Sequence, residues 1–305
     1  MKALAHKING WIAVDKPAGM TSNKVLMMLR RHFGRVKAGY AGTLDPFATG
    51  MLPIAFGEAT KLMDYMVDTA KVYHFTVRWG ESTDTDDCDG QVIKTHDHRP
   101  TDSDIKGALD AFQGTIEQTP PKYSAIKIQG KRACDRVRNQ EEVVMKARKV
   151  SVESFDLVRM VDADHAEFRV RCGKGTYIRS LARDLGAVLG TCAHVTTLRR
   201  ESVGVFSEPQ ALNYEKLLEL KGLIELQQFV HPMDIVLDDI PAITIGEQEV
   251  KKIRHGQSIS CPKSLGDFSN DDAPLGVQLK DHSRQLVAMS FVKQGTLCPN
   301  RVFVY

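Results

Sequence analysis

The chain has 305 residues, a length that predicts about two domains. Its 42% hydrophobic and 26% charged content describe an ordinary soluble globular protein, and a net charge of +3 is too small to prove nucleic-acid binding. Apolar runs of about 18 residues are missing and residues 1–7 lack a signal-peptide core, so neither a membrane span nor a secretion signal is expected.

Residues 10–14 predict a short strand that enters a Pro-Ala-Gly turn. Ser22 then has the character of a helix N-cap, with Val25, Met28, Leu29 and Phe33 at helical spacing and Gly34 ending the helix. Next comes a glycine-flanked loop, residues 38–53, with one acid, Asp45. Counting back from Asp45, the next acid is Asp15, and six Lys or Arg lie between them. A lone carboxylate in a basic stretch suggests an acid that meets a polyanion. The competing reading is an Asp-Pro turn in which Asp45 bonds only its own backbone. Pro46 disfavours helix at Asp45 in either case.

From Tyr73 to Trp79 the side chains alternate, with Tyr73, Phe75, Val77 and Trp79 on one face, as in a half-buried strand. The acidic run 83–90 fails as a calcium loop, because His96 stands at the twelfth position counted from Thr85. It reads as a loop beside a pocket. Ile105, Leu109 and Phe112 mark a helix ended by Gly114. Residues 122–149 hold nine Lys or Arg against three acids, and residues 169–183 hold five against none. Such segregated charge reads as a phosphate-contacting footprint, the alternative being a solvated charged face.

Residues 165–172 alternate as a second strand, and Ile178, Leu181, Ala182, Leu185, Val188 and Leu189 make an amphipathic helix ended by Gly190. Arg179 lies in its first turns, facing away from the core stripe; taken alone it reads as a phosphate contact or a surface salt bridge. Residues 209–239 are mostly helical and acidic. Pro241 opens a short helix pattern over 247–255, followed by β-like runs at 275–280, 286–291 and 302–305. The whole predicts an α+β fold with a mixed, largely antiparallel sheet over residues 1–240 and a small β-rich domain over 241–305. The helical stretch before Pro241 offers a cut point that leaves the first domain's core closed. Six cysteines without a Cys-x-x-Cys pair argue against zinc and for reduced thiols in a cytoplasm.

Five stretches, in order, resemble the motifs of the TruB family of tRNA pseudouridine synthases. They are Val14 to Ser22 (Val-Asp-Lys-Pro-Ala-Gly-Met-Thr-Ser), Gly42 to Ile54 (Gly-Thr-Leu-Asp-Pro-Phe-Ala-Thr-Gly-Met-Leu-Pro-Ile), and Lys71 to Phe75 with the 83–87 acids. Gln118 to Lys127 with Gly130 to Ala133, and Lys174 to Ala182, complete the set. The resemblance implies a pseudouridine-synthase catalytic domain with an RNA-gripping insertion at about 122–149, followed by a PUA-like RNA-binding domain. It implies isomerisation of uridine 55 in the T-stem-loop of tRNA by base flipping, with no cofactor and no metal. Asp45 is then the catalytic carboxylate. Arg179 is its partner, whose bidentate fork keeps the acid's pKa low. Tyr73 becomes the ring that stacks on the flipped base, with possible acceptance of the C5 proton, rather than a plain core tyrosine. Leu198 lines the pocket rather than only filling the core. Lys16, Lys127, Lys131 and Arg132 are the basic substrate contacts, and the protein is expected to be a monomer.

Two positions depart from the family. Tyr40 stands where many bacterial members have His, and Cys134 where Tyr is usual. Two other classes of function remain open to test. A catalytically silent tRNA-binding module would discard Asp45, Tyr73 and Arg179. A glycoside hydrolase would need a second carboxylate, and no second lone acid in a matching motif supports one.

Overall fold

The computed structural model describes residues 8–262 and 276–305. Residues 1–7, and Leu275 at the start of the 275–280 run, lie outside them. Among the described residues ten strands form the main sheet. Its path uses β1 (Gly10–Lys16), β2 (Thr49–Phe56), β3 (Lys71–Trp79), β4 (Gly114–Gln118), β5 (Arg148–Met160), β6 (His165–Cys172), β7 (Ala193–Val203) and β8 (Leu212–Asn213). The spatial order is β8-β1-β2-β7-β3-β6-β5-β4, with Ala38–Tyr40 added to β2 and Phe206–Ser207 to β7. Only β1 with β8 and β2 with β7 pair in parallel, so the sheet is mixed and largely antiparallel, as expected.

β3 sits between β6 and β7, and its alternation sorts side chains between two environments. Phe75, Val77 and Trp79 are fully buried, while His74, Thr76 and Arg78 keep partial exposure. Phe75 joins Phe155 and Phe168 with ring centroids 5.4–5.9 Å apart.

Three helices position the site: α1 (Ser22–His32), α2 (Asp102–Leu109) and α3 (Ile178–Val188). The N-cap of α1 is Thr21, not Ser22: Thr21 Oγ1 accepts from the Lys24 N–H at 3.1 Å. Ser22 is freed for another bond. Met28 is turned outward at 40% exposure, and Leu26 fills the core beside Val25 and Leu29 instead. Ile178, Leu181, Ala182 and Leu185 of α3 bury against the aromatic cluster. Gly186 permits that approach, because a Cβ there would meet the Ala193 Cβ at 2.6 Å.

The acidic 209–239 segment breaks into short pieces, Tyr214–Glu219, Leu223–Gln227 and the turn Met233–Leu237. Beyond it, five described strands order as Ala242–Thr244, Gly276–Lys280, Leu286–Lys293, Thr296–Val302 and Ile259–Ser260, with helix α4 (Glu247–Arg254) against them. The expected strand at 302–305 is corrected: the last strand is Thr296–Val302, and the final residues leave it to dock on the main domain. Phe303 is fully buried in one cluster with Trp11, Ala55, Leu62, Leu286 and Met289, and Lys61 lies 5.7 Å over its ring. Lys61 Nζ also donates to the Val302 carbonyl at 2.7 Å, and Glu58 accepts from the Val304 N–H at 3.0 Å. A cut near residue 240 would therefore open a shared core, contrary to the expectation that it leaves the first domain closed.

Candidate active site

The loop that follows the Ala38–Tyr40 strand carries Asp45 back toward β2. Gly42 has φ +75°, and a Cβ there would stand 3.1 Å from Arg200 Nη1. Glycine thus serves both the turn and a close approach. The loop lies over a cavity of about 650 Å³ lined by Asp45, Tyr73, Arg179, Tyr40, Leu198 and Arg132, among others. Six of the nine residues expected at the site are thereby brought together.

Arg179 is the hub. It is 3% exposed, so the expectation of an outward-facing residue is corrected: the first turn of α3 points into the cavity. Its Nη2 donates to Asp45 Oδ1 at 3.1 Å, and Nε stands 2.9 Å from Oδ2 without the alignment of a hydrogen bond. The fork is therefore only half closed on Asp45. The guanidinium also holds other segments: Nη1 lies 3.1 Å from Asp87 Oδ2 and donates to the Thr85 carbonyl at 2.8 Å, and Nη2 donates as well to the Tyr123 carbonyl at 2.9 Å. One guanidinium thus joins the Asp45 loop, the 83–90 run and the main chain at Tyr123.

Pattern does not single out Asp87, since Asp84, Asp86 and Asp89 stand with it in one acidic run. It is 4% exposed; its Oδ1 accepts from Thr85 Oγ1 at 2.6 Å and from the Asp89 N–H at 3.1 Å. Asp45 is thus not the only carboxylate in the cavity, whose lining also includes Asp87 and the exposed Asp89. Asp87, however, is fully engaged by Arg179, Thr85 and Asp89, and is in no position to serve as a second acid of the glycosidase kind. Burial raises the Asp45 carboxyl above its ordinary range, while Arg179 pulls it back by charge and hydrogen bond. Desolvation is the larger effect, so the carboxyl is raised, contrary to the expectation that the Arg179 fork keeps its pKa low. Burial likewise raises Asp87, against its Thr85 bond and the Arg179 charge.

Tyr73 is 9% exposed, lines the cavity and belongs to the core of β3 at once, so its two readings merge. Burial pushes its phenol up, and the Arg200 guanidinium opposes this. Leu198 stands opposite Phe75 in the ladder, and Arg200 stands opposite Tyr73. Arg200 is 1% exposed; its Nε donates to the Met51 carbonyl at 2.7 Å and its Nη2 to the Gly42 carbonyl at 2.9 Å. Among the described residues it makes no ion pair. Sequence reasoning missed it, although its two-residue spacing from Leu198 places both on one face of a strand.

Lys16 is corrected. It is fully buried and donates to the carbonyls of Pro17 at 2.8 Å, Met20 at 2.7 Å and Pro46 at 3.2 Å. It therefore braces the Asp45-Pro46 turn and is not on the cavity wall, unlike the exposed substrate contact expected of it; burial lowers its pKa to about 8. Lys71 is a second buried lysine, on the cavity wall, donating to the Val67 and Thr69 carbonyls and also lowered by burial to about 8. Lys127 and Lys131 are exposed on the small hairpin Lys127–Ile128/Lys131–Arg132, away from the cavity wall. Arg132, Cys134 and Arg138 of the insertion reach the cavity.

Solved structures place this architecture in a class. A chain of an H/ACA ribonucleoprotein, solved with a substrate RNA containing 2′-deoxyuridine, superposes with a TM-score of 0.73 at 21% identity, over 97% of this chain and 85% of that one. The fold is that of the pseudouridine synthases. Residues 30–178 match the model of the TruB family pseudouridylate synthase N-terminal domain, and residues 179–238 match that of the tRNA pseudouridylate synthase B C-terminal domain. A tRNA pseudouridine synthase B of Caulobacter sp. (strain K31) is 42% identical over 298 residues, covering 97% of this chain and 96% of the relative. Its counterpart in Ruegeria pomeroyi is 43% identical over 302 residues, covering 99% and 98%. The chain belongs to the TruB family. The two family models meet between residues 178 and 179, so Tyr73 and Asp45 fall in one and Arg179 in the other.

Proposed function

We propose that this protein is a tRNA pseudouridine synthase that converts uridine 55 of the T-stem-loop, flipped out of its stack, into pseudouridine. The observation that carries this reading is the Asp45–Arg179 pair on the wall of a cavity that also contains the Tyr73 ring. The reaction breaks the N1–C1′ bond, turns the uracil and forms a C5–C1′ bond. C5 loses a proton and N1 gains one, so there is no redox change and no need of a cofactor. Asp45 is the catalytic carboxylate, Arg179 holds it, and Tyr73 stacks on the base and stands near the C5 proton. Tyr40 and Leu198 shape the same wall. Arg132, with Lys127 and Lys131 on the exposed hairpin, contacts phosphates. Residues 241–305 form a PUA-like RNA-binding domain. The protein acts as a monomer in the cytoplasm; no helix of the described residues is long and apolar enough to cross a membrane.

Incubation with unmodified tRNA, followed by mapping of pseudouridine, tests the assignment. Wild-type protein should modify position 55, and Asp45→Asn, isosteric but neither nucleophile nor base, should not. Pseudouridine formed by that variant above trace rates would remove Asp45 from its role. A wild-type protein that binds tRNA but modifies nothing would favour a silent binding module.

A further inference from the structure

Asp45 approaches from a loop and Arg179 from the first turn of α3, and no sheet ladder fixes the backbone at either. In each case a buried polar side chain from another segment grips the peptide groups of a residue just upstream. Leu44, immediately before Asp45, donates its N–H to Ser22 Oγ at 2.9 Å, and the same hydroxyl donates to the Leu44 carbonyl at 3.1 Å. Tyr177, two residues before Arg179, donates its N–H to Gln118 Oε1 at 2.8 Å, and Gln118 Nε2 donates to the Tyr177 carbonyl at 3.1 Å. Ser22 and Gln118 are each 1% exposed. Tyr177 is the N-cap of α3 and makes no capping bond with its own side chain; its N–H and C=O are instead bonded by Gln118.

We propose that Ser22 and Gln118 are positioning residues, which set the register of the Asp45 carboxylate against the Arg179 guanidinium by clamping the backbone next to each. A single hydrogen bond leaves a residue free to pivot; a reciprocal pair on its N–H and C=O holds both peptide units that flank its Cα. The precision matters because the guanidinium meets four acceptors at 3.1 Å or less: Asp45, Asp87, Thr85 and Tyr123. A shift of about 1 Å at either clamp cannot preserve all four, and a misplacement of that size costs roughly 100-fold in rate. Ser22 is available for this work because Thr21 caps α1 in its place. The inference rests on the pseudouridine-forming reading of the site.

The test uses the full chain with Ser22→Ala and Gln118→Glu. The glutamate keeps the shape and can accept from the Tyr177 N–H; when ionised it cannot donate to the Tyr177 carbonyl. Single-turnover pseudouridine formation at saturating enzyme should fall about 10- to 100-fold in each folded variant, with tRNA affinity within about 3-fold of wild type. If Gln118 acts through Arg179, then in an Arg179→Met background Gln118→Glu should cost less than about 2-fold further. Near-normal saturating rates in folded variants would overturn the proposal, as would an equal loss with and without Arg179, the mark of a general packing effect. The two clamps act on opposite members of the pair, so if one variant fails to fold the other decides. A readout independent of turnover is the Asp45 carboxyl followed by carbon-13 NMR. Displacing the guanidinium that pulls this carboxyl down should move its titration upward in both variants. If the wild-type protein forms no pseudouridine, the functional reading fails and this titration alone decides: an unmoved Asp45 in both variants overturns the clamp.

Discussion

Replacing Arg179 by Met removes the guanidinium that joins Asp45, Asp87, Thr85 and Tyr123 and leaves a shorter, uncharged, unbranched side chain. Two carboxylates are then left in one cavity without their shared cation, and two main-chain carbonyls lose a donor. Asp87 is buried with 6% of its side chain exposed. Removing one partner of a buried ion pair costs about 3–5 kcal/mol. At about 2 °C per kcal/mol for a chain of this size, Tm should drop by roughly 6–10 °C. The drop should depend on pH with a definite sign. Burial already raises both carboxyls, and loss of Arg179 removes an effect that lowers them, so their folded-state pKa values rise further above the unfolded ones. Such groups destabilise the fold when ionised, so stability is lost as pH rises through the raised values and kept below them. Melting curves of Arg179→Met should therefore lie nearer to wild type at pH 5 than at pH 8. An equal drop at both pH values would refute the electrostatic account and leave only lost packing. A near-normal rate of pseudouridine formation would refute the role of Arg179 in holding Asp45.

Tyr73→Phe keeps the ring and removes the hydroxyl; if that hydroxyl accepts the C5 proton, single-turnover rate should fall by about two to four orders of magnitude. A near-normal rate would leave stacking as its only role. Phe303→Ala empties a fully buried site in the core shared by the two sheets, and should lower unfolding stability by about 3–5 kcal/mol in a transition that includes the main domain. A main-domain transition that does not move would mean that the two units are independent. Lys127→Gln and Lys131→Gln should each weaken tRNA binding and reduce the log–log salt slope by roughly one unit per lost phosphate contact. Salt slopes unchanged in both variants would remove the hairpin from the RNA footprint.

Local pattern was sufficient for much of this molecule. The alternation of Tyr73 to Trp79, the apolar stripe of the helix with Leu181 and Leu185, and the Asp-Pro turn between glycines each depend on neighbours within a few residues. Such periodicities survive in any tertiary context that buries one face. The motif resemblance then pointed to Asp45, Tyr73 and Arg179, which the fold brings to one cavity. Tertiary closure decided the rest. Lys16 reads as one more basic residue until Pro46, 30 positions away, supplies a carbonyl for it. Asp87 cannot be told from Asp84 or Asp86 until Arg179 selects it. Gln118 and Ser22 are ordinary polar residues in sequence, and gain their place only from the peptides that they grip. Pattern continues the tail as a strand, yet Phe303 is drawn off by a pocket made of β1, β2 and the turn after them. Asp45 and Arg179 are 134 residues apart, and the energy of their contact comes from burial and charge. Those quantities depend on what surrounds an atom in space, which no run of neighbouring residues encodes.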